Sequence, residues 1–258
     1  MTKQLIVAAA LAALAITAHA QNKGGSGSTS SGAGVITIDQ ARVEAGGVTP
    51  GDAPGFPVTI SQPGSYRLAG NLAVPTLQTA GIVITASDVT LDLGGFVIRG
   101  PLACVATQTA DVCPGSYVEG ADGIRLGASN TDVVRNVQVS GGTIRGMGGH
   151  GVNALVFDGG HTFEYLRVIG NGGHGIFLRN SAVSHSHFIG NRMTGITGFS
   201  GSAMHNRAER NNTGLSMNGL SMAGYNYLYA NGTNFYDMGS LGRAVQVAPN
   251  LCNGVPCQ

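Results

Sequence analysis

From residue 81 onward, short apolar–polar alternations recur, most of them opened by glycine: GIVIT at 81, GIRLG at 123, GVNAL at 151, GIFLR at 175 and GITGF at 195, then more loosely GLSMN at 214 and FYDMG at 235. Period-two alternation predicts short strands with one buried face, and helical spacing is nearly absent after the first twenty residues. One polar residue keeps phase with these strands. Asn171, Asn191, Asn211 and Asn231 lie twenty residues apart and close the segments LRVIGN, SHFIGN, RAERN and YLYAN. A fixed period near twenty with a polar residue in register predicts a coil that turns once per repeat. Coils stacked at the strand spacing of about 4.8 Å would join the four amides in a ladder, each NH2 donating to the next carbonyl.

Two distant ten-residue pieces repeat the same order of strand, Gly-containing turn and strand: LDLGGFVIRG from Leu91 to Gly100 and VQVSGGTIRG from Val137 to Gly146. Residues of about 100–122 break the pattern and predict a loop projecting from the stack. The Pro/Gly-rich 51–75 stretch is expected to cover the open N-terminal end, within a cap of about 36–80. A C-terminal cap of about 242–258 is expected at the other end, because an uncapped coil would expose strand edges and core.

The inward and outward columns follow by counting back from each ladder asparagine. Three residues back stand Val168, Phe188, Ala208 and Leu228, all apolar, so this column faces inward. The columns four and six back then face outward. Six back are Tyr165, His185, His205 and Tyr225; four back are Arg167, His187, Arg207 and Tyr227. Flat rings can stack on sugar faces and arginine can hold a carboxylate or sulfate bidentately, whereas stacked aromatics can also simply stabilise a sheet face. The histidines are also metal-ligand types, but only Glu209 stands by to complete a set with His185, His187 and His205.

Composition narrows the setting. MTKQLIVAAALAALAITAHA (1–20) has the charged start, apolar stretch and small-x-small end of a signal peptide, and 21–35 is a Gly/Ser-rich tether. Without residues 1–20, acidic and basic residues balance at thirteen each. That balance, with no basic run, argues against nucleic acid as a partner, and no later segment is long and apolar enough to span a membrane. A secreted or periplasmic address follows. Export also favours disulfides among the four cysteines, and the local pairs Cys104–Cys113 and Cys252–Cys257 are the simplest of three connectivities.

The segments PGSYRLAGNL and GIVITASDVTLDLGGFVIRG, with the GNGGHGI-type turns, resemble the bacterial right-handed parallel β-helix repeat proteins of the pectin-lyase-like superfamily. The resemblance covers roughly residues 36–250. It implies an all-β, single-stranded right-handed parallel β-helix of about seven to nine coils over 36–258. That superfamily spans lyases, hydrolases, epimerases and adhesins, so fold does not select a reaction. Asn130-Thr131-Asp132 and the two GGHG pieces, carrying His150 and His174, resemble motifs of polygalacturonase-type hydrolases. The adjacent acid pair such a mechanism needs is missing, since Asp158 and Glu164 are the only acids over 133–172, and Lys23 in the tether is the only lysine beyond residue 20. A Ca2+-assisted lyase would need an acidic cluster beside outward arginines such as Arg145, Arg167 and Arg207, and Asp88 and Asp92 stand alone. No cofactor is therefore assigned, and Ca2+ has no acidic cluster to support it.

These readings converge on an exported protein that binds extracellular or cell-wall polysaccharide along the Tyr/His/Arg columns. Arg207, Tyr225, Tyr227 and His187 are the expected binding residues. The alternatives are a polysaccharide lyase or hydrolase acting on an acidic polymer through His185, His205, Tyr165 and Arg167, and a structural or adhesive surface protein. Oligomeric state is not specified by the sequence.

Overall fold

The computed structural model describes residues 34–237 and 245–257. The expected signal peptide, nearly all of the tether and the first residues of the C-terminal cap lie outside that range. Within it, each coil contributes strands to three faces in turn. The first face is an eight-stranded parallel sheet: Val58–Ile60, Ile82–Ile84, Ile124–Leu126, Val152–Ala154, Ile176–Arg179, Thr194–Phe199, Thr213–Asn218 and Thr233–Asp237. The second face runs from Ile36–Ile38 through Gly64–Leu68 and Val89–Asp92 to Ala182–Ser184, Ser202–Met204, Met222–Gly224 and Val245–Gln246. The third runs from Leu72–Ala73 and Val97–Arg99 to His187–Ile189, Arg207–Glu209, Tyr227–Tyr229 and Leu251–Cys252. Two long strands, Val137–Arg145 and Thr162–Ile169, pass through both the second and third faces and join them into one sheet. The result is the expected parallel β-solenoid, of about eight turns.

The register follows the sequence period. Val168 pairs with Phe188, Phe188 with Ala208 and Ala208 with Leu228, so the column counted as inward is the buried spine of the third face. Ile82, Ile124, Val152, Ile176, Ile196 and Leu215 form the matching spine of the first face, all fully buried. The glycines that open these strands make close packing possible. A Cβ on Gly123, Gly151 or Gly175 would collide with Ile144, Val168 or Phe188 respectively, and with the carbonyl of the glycine on the next rung. Only a residue without a side chain lets the first and third faces approach this closely.

Three expectations need correction. The 51–75 stretch does not lie over the end of the stack. It supplies a rung of its own, with Val58 paired to Ile82, Tyr66 to Leu91 and Leu72 to Ile98. The N-terminal end is instead extended by Ile36–Ile38 and by the helix Gln40–Ala45, whose first turn is capped by Asp39 and which buries Val43. The repeated ten-residue pieces align only in their second halves, where Arg99 pairs with Arg145; in their first halves Leu91 pairs with Val139, not Val137. The turn at Asp92–Phe96 absorbs the two extra residues.

The 100–122 segment does not project. It lies back over the corner between the third and first faces. Leu102 donates to Gly146 O at 2.8 Å, Asp111 N to Arg210 O at 2.7 Å and Val118 N to Gly148 O at 3.0 Å. Arg210 Nε meets Asp111 Oδ1 at 3.0 Å, and the Cys104–Cys113 bridge rests over Gly170 and Gly190. The segment is a strap across several coils. At the C-terminal end, Val255–Pro256 turns back antiparallel onto Leu251–Cys252, and Cys252–Cys257 closes that hairpin. Both local disulfides thus form as expected.

Candidate functional site

The corners decide which polar side chains reach solvent. At the corner between the third and first faces, the four ladder asparagines are buried and joined as predicted. Nδ2 of Asn171, Asn191 and Asn211 donates to Oδ1 of the next asparagine at 2.9, 2.9 and 3.1 Å. Each Oδ1 also accepts the backbone N–H of the previous asparagine at 2.9–3.2 Å. A second ladder, absent from the sequence reading, holds the corner between the second and third faces. Ser186 N donates to Asn206 Oδ1 at 3.0 Å, Asn206 Nδ2 to Asn226 Oδ1 at 3.1 Å and Asn226 Nδ2 to Asn250 Oδ1 at 2.8 Å. The twenty-residue step from 206 to 226 was its available signal.

Immediately before Ser186, Asn206 and Asn226, and before Leu166, whose N–H donates to Ser186 Oγ at 3.1 Å, sit residues with left-handed backbone: His185, His205, Tyr225 and Tyr165, with φ of 50°, 58°, 56° and 56°. This conformation is uncommon for residues other than glycine, and it swings each ring out of the corner. All four are exposed, Tyr165 by 61% and Tyr225 by 59%. They form one continuous stack, with centroids 5.3, 5.2 and 4.8 Å apart and planes within 22°, 10° and 10°. This geometry corrects the expectation that the rings offer their faces to sugars. Inside the stack the faces are turned on one another, so what meets solvent is a row of edges carrying the Tyr hydroxyls and His ring nitrogens.

The neighbouring column divides. Arg207 is committed: Nε and Nη2 donate to Glu209 Oε2 at 2.8 and 2.5 Å, and its guanidinium lies 5.3 Å from the Tyr227 ring centre. His187 Nε2 lies 3.3 Å from Glu209 Oε1 without hydrogen-bond geometry, and Arg210 approaches the same carboxylate at 3.6 Å. Burial alone would raise the Glu209 carboxyl, but the Arg207 hydrogen bonds, with His187 and Arg210 beside it, bring it below its ordinary range. Burial lowers His187, against the pull of Glu209. Arg167 is exposed and has no carboxylate partner among the described residues. The predicted set thus forms a stack of Tyr165, His185, His205 and Tyr225, beside a cluster centred on Glu209, with Arg167 on the rung next to His187 and adding to the lowering of that imidazole.

The GGHG histidines occupy a different, buried cluster under the strap. His150 Nδ1 accepts the His174 backbone N–H at 2.9 Å, and His174 Nδ1 accepts that of Thr194 at 3.1 Å. His150 Nε2 faces Tyr117 Oη at 3.1 Å, and the two imidazoles stack at 5.0 Å. With Nδ1 accepting, each ring is held neutral. Burial pushes His150 down to about 3, with His174 and Arg125 adding to it, and pushes His174 down to about 4. Fully buried Asp122 accepts His150 N at 2.8 Å and Asn153 Nδ2 at 3.1 Å, and burial pushes its carboxyl up to about 6. The same burial raises Tyr117 to about 12. The second glycine of the motif has a spatial cause: a Cβ on Gly173 would meet the His150 ring, and one on Gly149 would come within 2.6 Å of Asp122 Oδ1. These imidazoles play the part of ladder amides.

Asp132 of the Asn-Thr-Asp piece is likewise occupied, accepting Ala128 N at 2.7 Å and Ser129 Oγ at 2.7 Å in its own turn. Among the described residues, no group of three or more His, Cys, Asp or Glu is placed to hold a metal ion, and no helix is long and apolar enough to cross a membrane. Neither the protein-family models nor the curated proteins nor the solved structures give a match to this chain.

Proposed function

We propose that this chain is an exported β-helix protein of the pectin-lyase-like type that binds extracellular or cell-wall polysaccharide along the corner between its second and third faces. One observation carries the reading: four exposed, hydrogen-bonding rings on four successive rungs in one unbroken stack. A hydroxyl-rich polymer laid along this corner would meet one ring edge per rung, each able to donate or accept. Stacking on a sugar face is left to the outer faces of the terminal rings. Tyr225 supplies one, in a hollow of about 290 Å³ shared with Tyr227, Pro249 and Leu251. Binding spread over several equal contacts predicts graded losses rather than a single indispensable residue.

The test is retention of the secreted chain in affinity gels cast with a panel of neutral and acidic polysaccharides, alongside assays for new reducing ends and unsaturated uronates. Binding predicts retention on one polymer, weakened stepwise by His185→Ala, His205→Ala and Tyr225→Ala, with no product. Product formation abolished by His185→Ala or His205→Ala would replace binding with catalysis. Retention on no polymer, with stability lost in the same variants, would make the stack a purely structural device and end the proposal.

A further inference from the structure

The third face carries positive charge that the protein does not neutralise. Arg67, Arg135, Arg207 and Arg210 each meet a carboxylate. Arg99 and Arg145 meet none among the described residues, yet they are direct register partners on adjacent parallel strands and both are exposed. Like charges placed opposite one another across a sheet repel. The nearest acid along their column is Glu209, three rungs from Arg145 by way of Ile169 and Ile189, and it is already held by Arg207 and Arg210. Arg167, on the next rung and one column over, adds a third cation.

The same two arginines border two adjoining hollows. One, of about 280 Å³, is walled by Ala73, Val74, Pro101, Leu102 and Ala103; the other, of about 330 Å³, by Asn71, Leu72 and Val97. The backbone amides there are spent: Val74 N donates to Arg99 O at 2.8 Å, Gly100 N to Arg145 O at 2.9 Å and Leu102 N to Gly146 O at 2.8 Å. The guanidinium groups are then the charged donors open to a ligand, set among the aliphatic side chains of Ala73, Val74, Leu102 and Val97. The strap, through Pro101, Leu102 and Ala103, forms one wall of the first hollow.

We propose that Arg99 and Arg145 form an oxyanion-binding site that takes a carboxylate, sulfate or phosphate group between the two guanidinium forks. Two planar forks one rung apart, about 4.8 Å, can share one oxyanion and remove their mutual repulsion. The site is separate from the ring stack and stands without the polysaccharide reading.

Titration of the disulfide-intact chain with sodium sulfate, phosphate and acetate, at constant ionic strength, tests it by calorimetry or amide chemical shifts. Saturable binding is expected, weakened about tenfold by Arg99→Gln and by Arg145→Gln, each of which removes charge-assisted hydrogen bonds. Arg99→Lys keeps the charge but loses the fork, and should restore only part of the affinity. Arg135→Gln, at an ion pair outside the groove, should change nothing. Tighter binding of a uronate or sulfated oligosaccharide than of the free anions would locate the group on a sugar, and equal binding would make the ligand a free anion. Absence of saturable binding by all three anions, or binding unchanged in the Arg99→Gln/Arg145→Gln double variant, overturns the proposal. Either result can occur whether or not the ring stack retains a polymer.

Discussion

Replacing Asn211 by alanine tests whether the buried amide ladder holds the coils together. The side chain is fully buried. Its Oδ1 accepts from Asn191 N and from Asn191 Nδ2, both at 2.9 Å. Its Nδ2 serves Asn231 Oδ1 at 3.1 Å, Phe188 O at 3.0 Å and Glu209 O at 3.1 Å. Alanine leaves the Asn191 backbone N–H with no acceptor, and an orphaned buried donor costs about 1–3 kcal/mol. Asn191 Nδ2 keeps its bond to Val168 O at 3.1 Å and Asn231 Oδ1 keeps the Asn211 N–H at 2.9 Å, so those losses are partial. Phe188 O also loses the amide donor, whereas Glu209 O keeps the Gly190 N–H at 3.0 Å, so a total of about 2–4 kcal/mol is expected. Denaturant unfolding followed by far-UV circular dichroism measures it, provided the transition stays single, since repeat arrays can lose cooperativity. Asn231→Ala, at the ladder's end and 9% exposed, should cost less. A loss below about 1 kcal/mol for Asn211→Ala, within the range of an ordinary surface change, would refute the ladder as a source of stability.

Two further outcomes follow from the buried imidazoles: His150 and His174 beneath the strap, and His161 elsewhere, whose Nδ1 accepts Val137 N at 3.2 Å. Gly173→Ala should destabilise by about 1–3 kcal/mol, because the added methyl enters the space of the His150 ring and reaches within 3.0 Å of Tyr117; an unchanged melting temperature would show that the ring does not need that space. The second concerns acid. His150, His161 and His174 are held down to about 3, 4 and 4, chiefly by burial, so the unfolded chain takes up their protons near 6.5 while the folded chain does not. Their contribution is full above about pH 6.5 and is lost as pH falls toward 4. Asp122, pushed up to about 6, acts in the opposite sense: between about 4 and 6 the folded carboxyl keeps a proton that the unfolded one releases. Three groups against one leave about two protons net at pH 5, so the denaturation midpoint should fall from pH 7 to 5. Asp122→Asn should steepen the fall if the fold is kept, and a midpoint flat over this range would contradict the assignment.

What the sequence disclosed depended on whether a contact repeats. The asparagine ladder, the inward spine of Val168, Phe188, Ala208 and Leu228, and the outward columns all recur at twenty residues, so one rung predicts the next. The second ladder was equally periodic at Asn206 and Asn226, but it opens on Ser186 and closes on Asn250, twenty-four residues later, which disguises its ends. The strap offers no such repeat. Its course is set by single contacts such as Asp111 with Arg210 and Tyr117 with His150, ninety-nine and thirty-three residues apart. The Arg99–Arg145 pair was half visible in the shared IRG of the two matched pieces. Its lack of counter-charge required knowing where every acid lies.

The two corners of each rung that carry amide ladders explain why the outward rings stand where they do. A buried side chain of the next rung, the Ser186 hydroxyl at Leu166 and an asparagine amide at the three later bends, satisfies the backbone there, so the preceding residue is free to take the left-handed conformation without leaving an orphaned donor. Asn206 N and Asn226 N, for example, are each met by the amide of the next rung. Once the bend repeats, the residue ahead of it repeats as well, and its side chain must either stack on its neighbours or be lost to solvent. Tyr and His meet that condition while keeping polar edges outward, where an aliphatic stack would present only hydrocarbon. The ladder inside and the stack outside are therefore one construction. Loss of the inner amides should disorder the outer rings before the core of the first face is disturbed, and crosslinking or ring-current shifts of Tyr165 and Tyr225 in an Asn206→Ala variant would report it. An intact stack in that variant would separate the two, and leave the rings to be held by the strands alone.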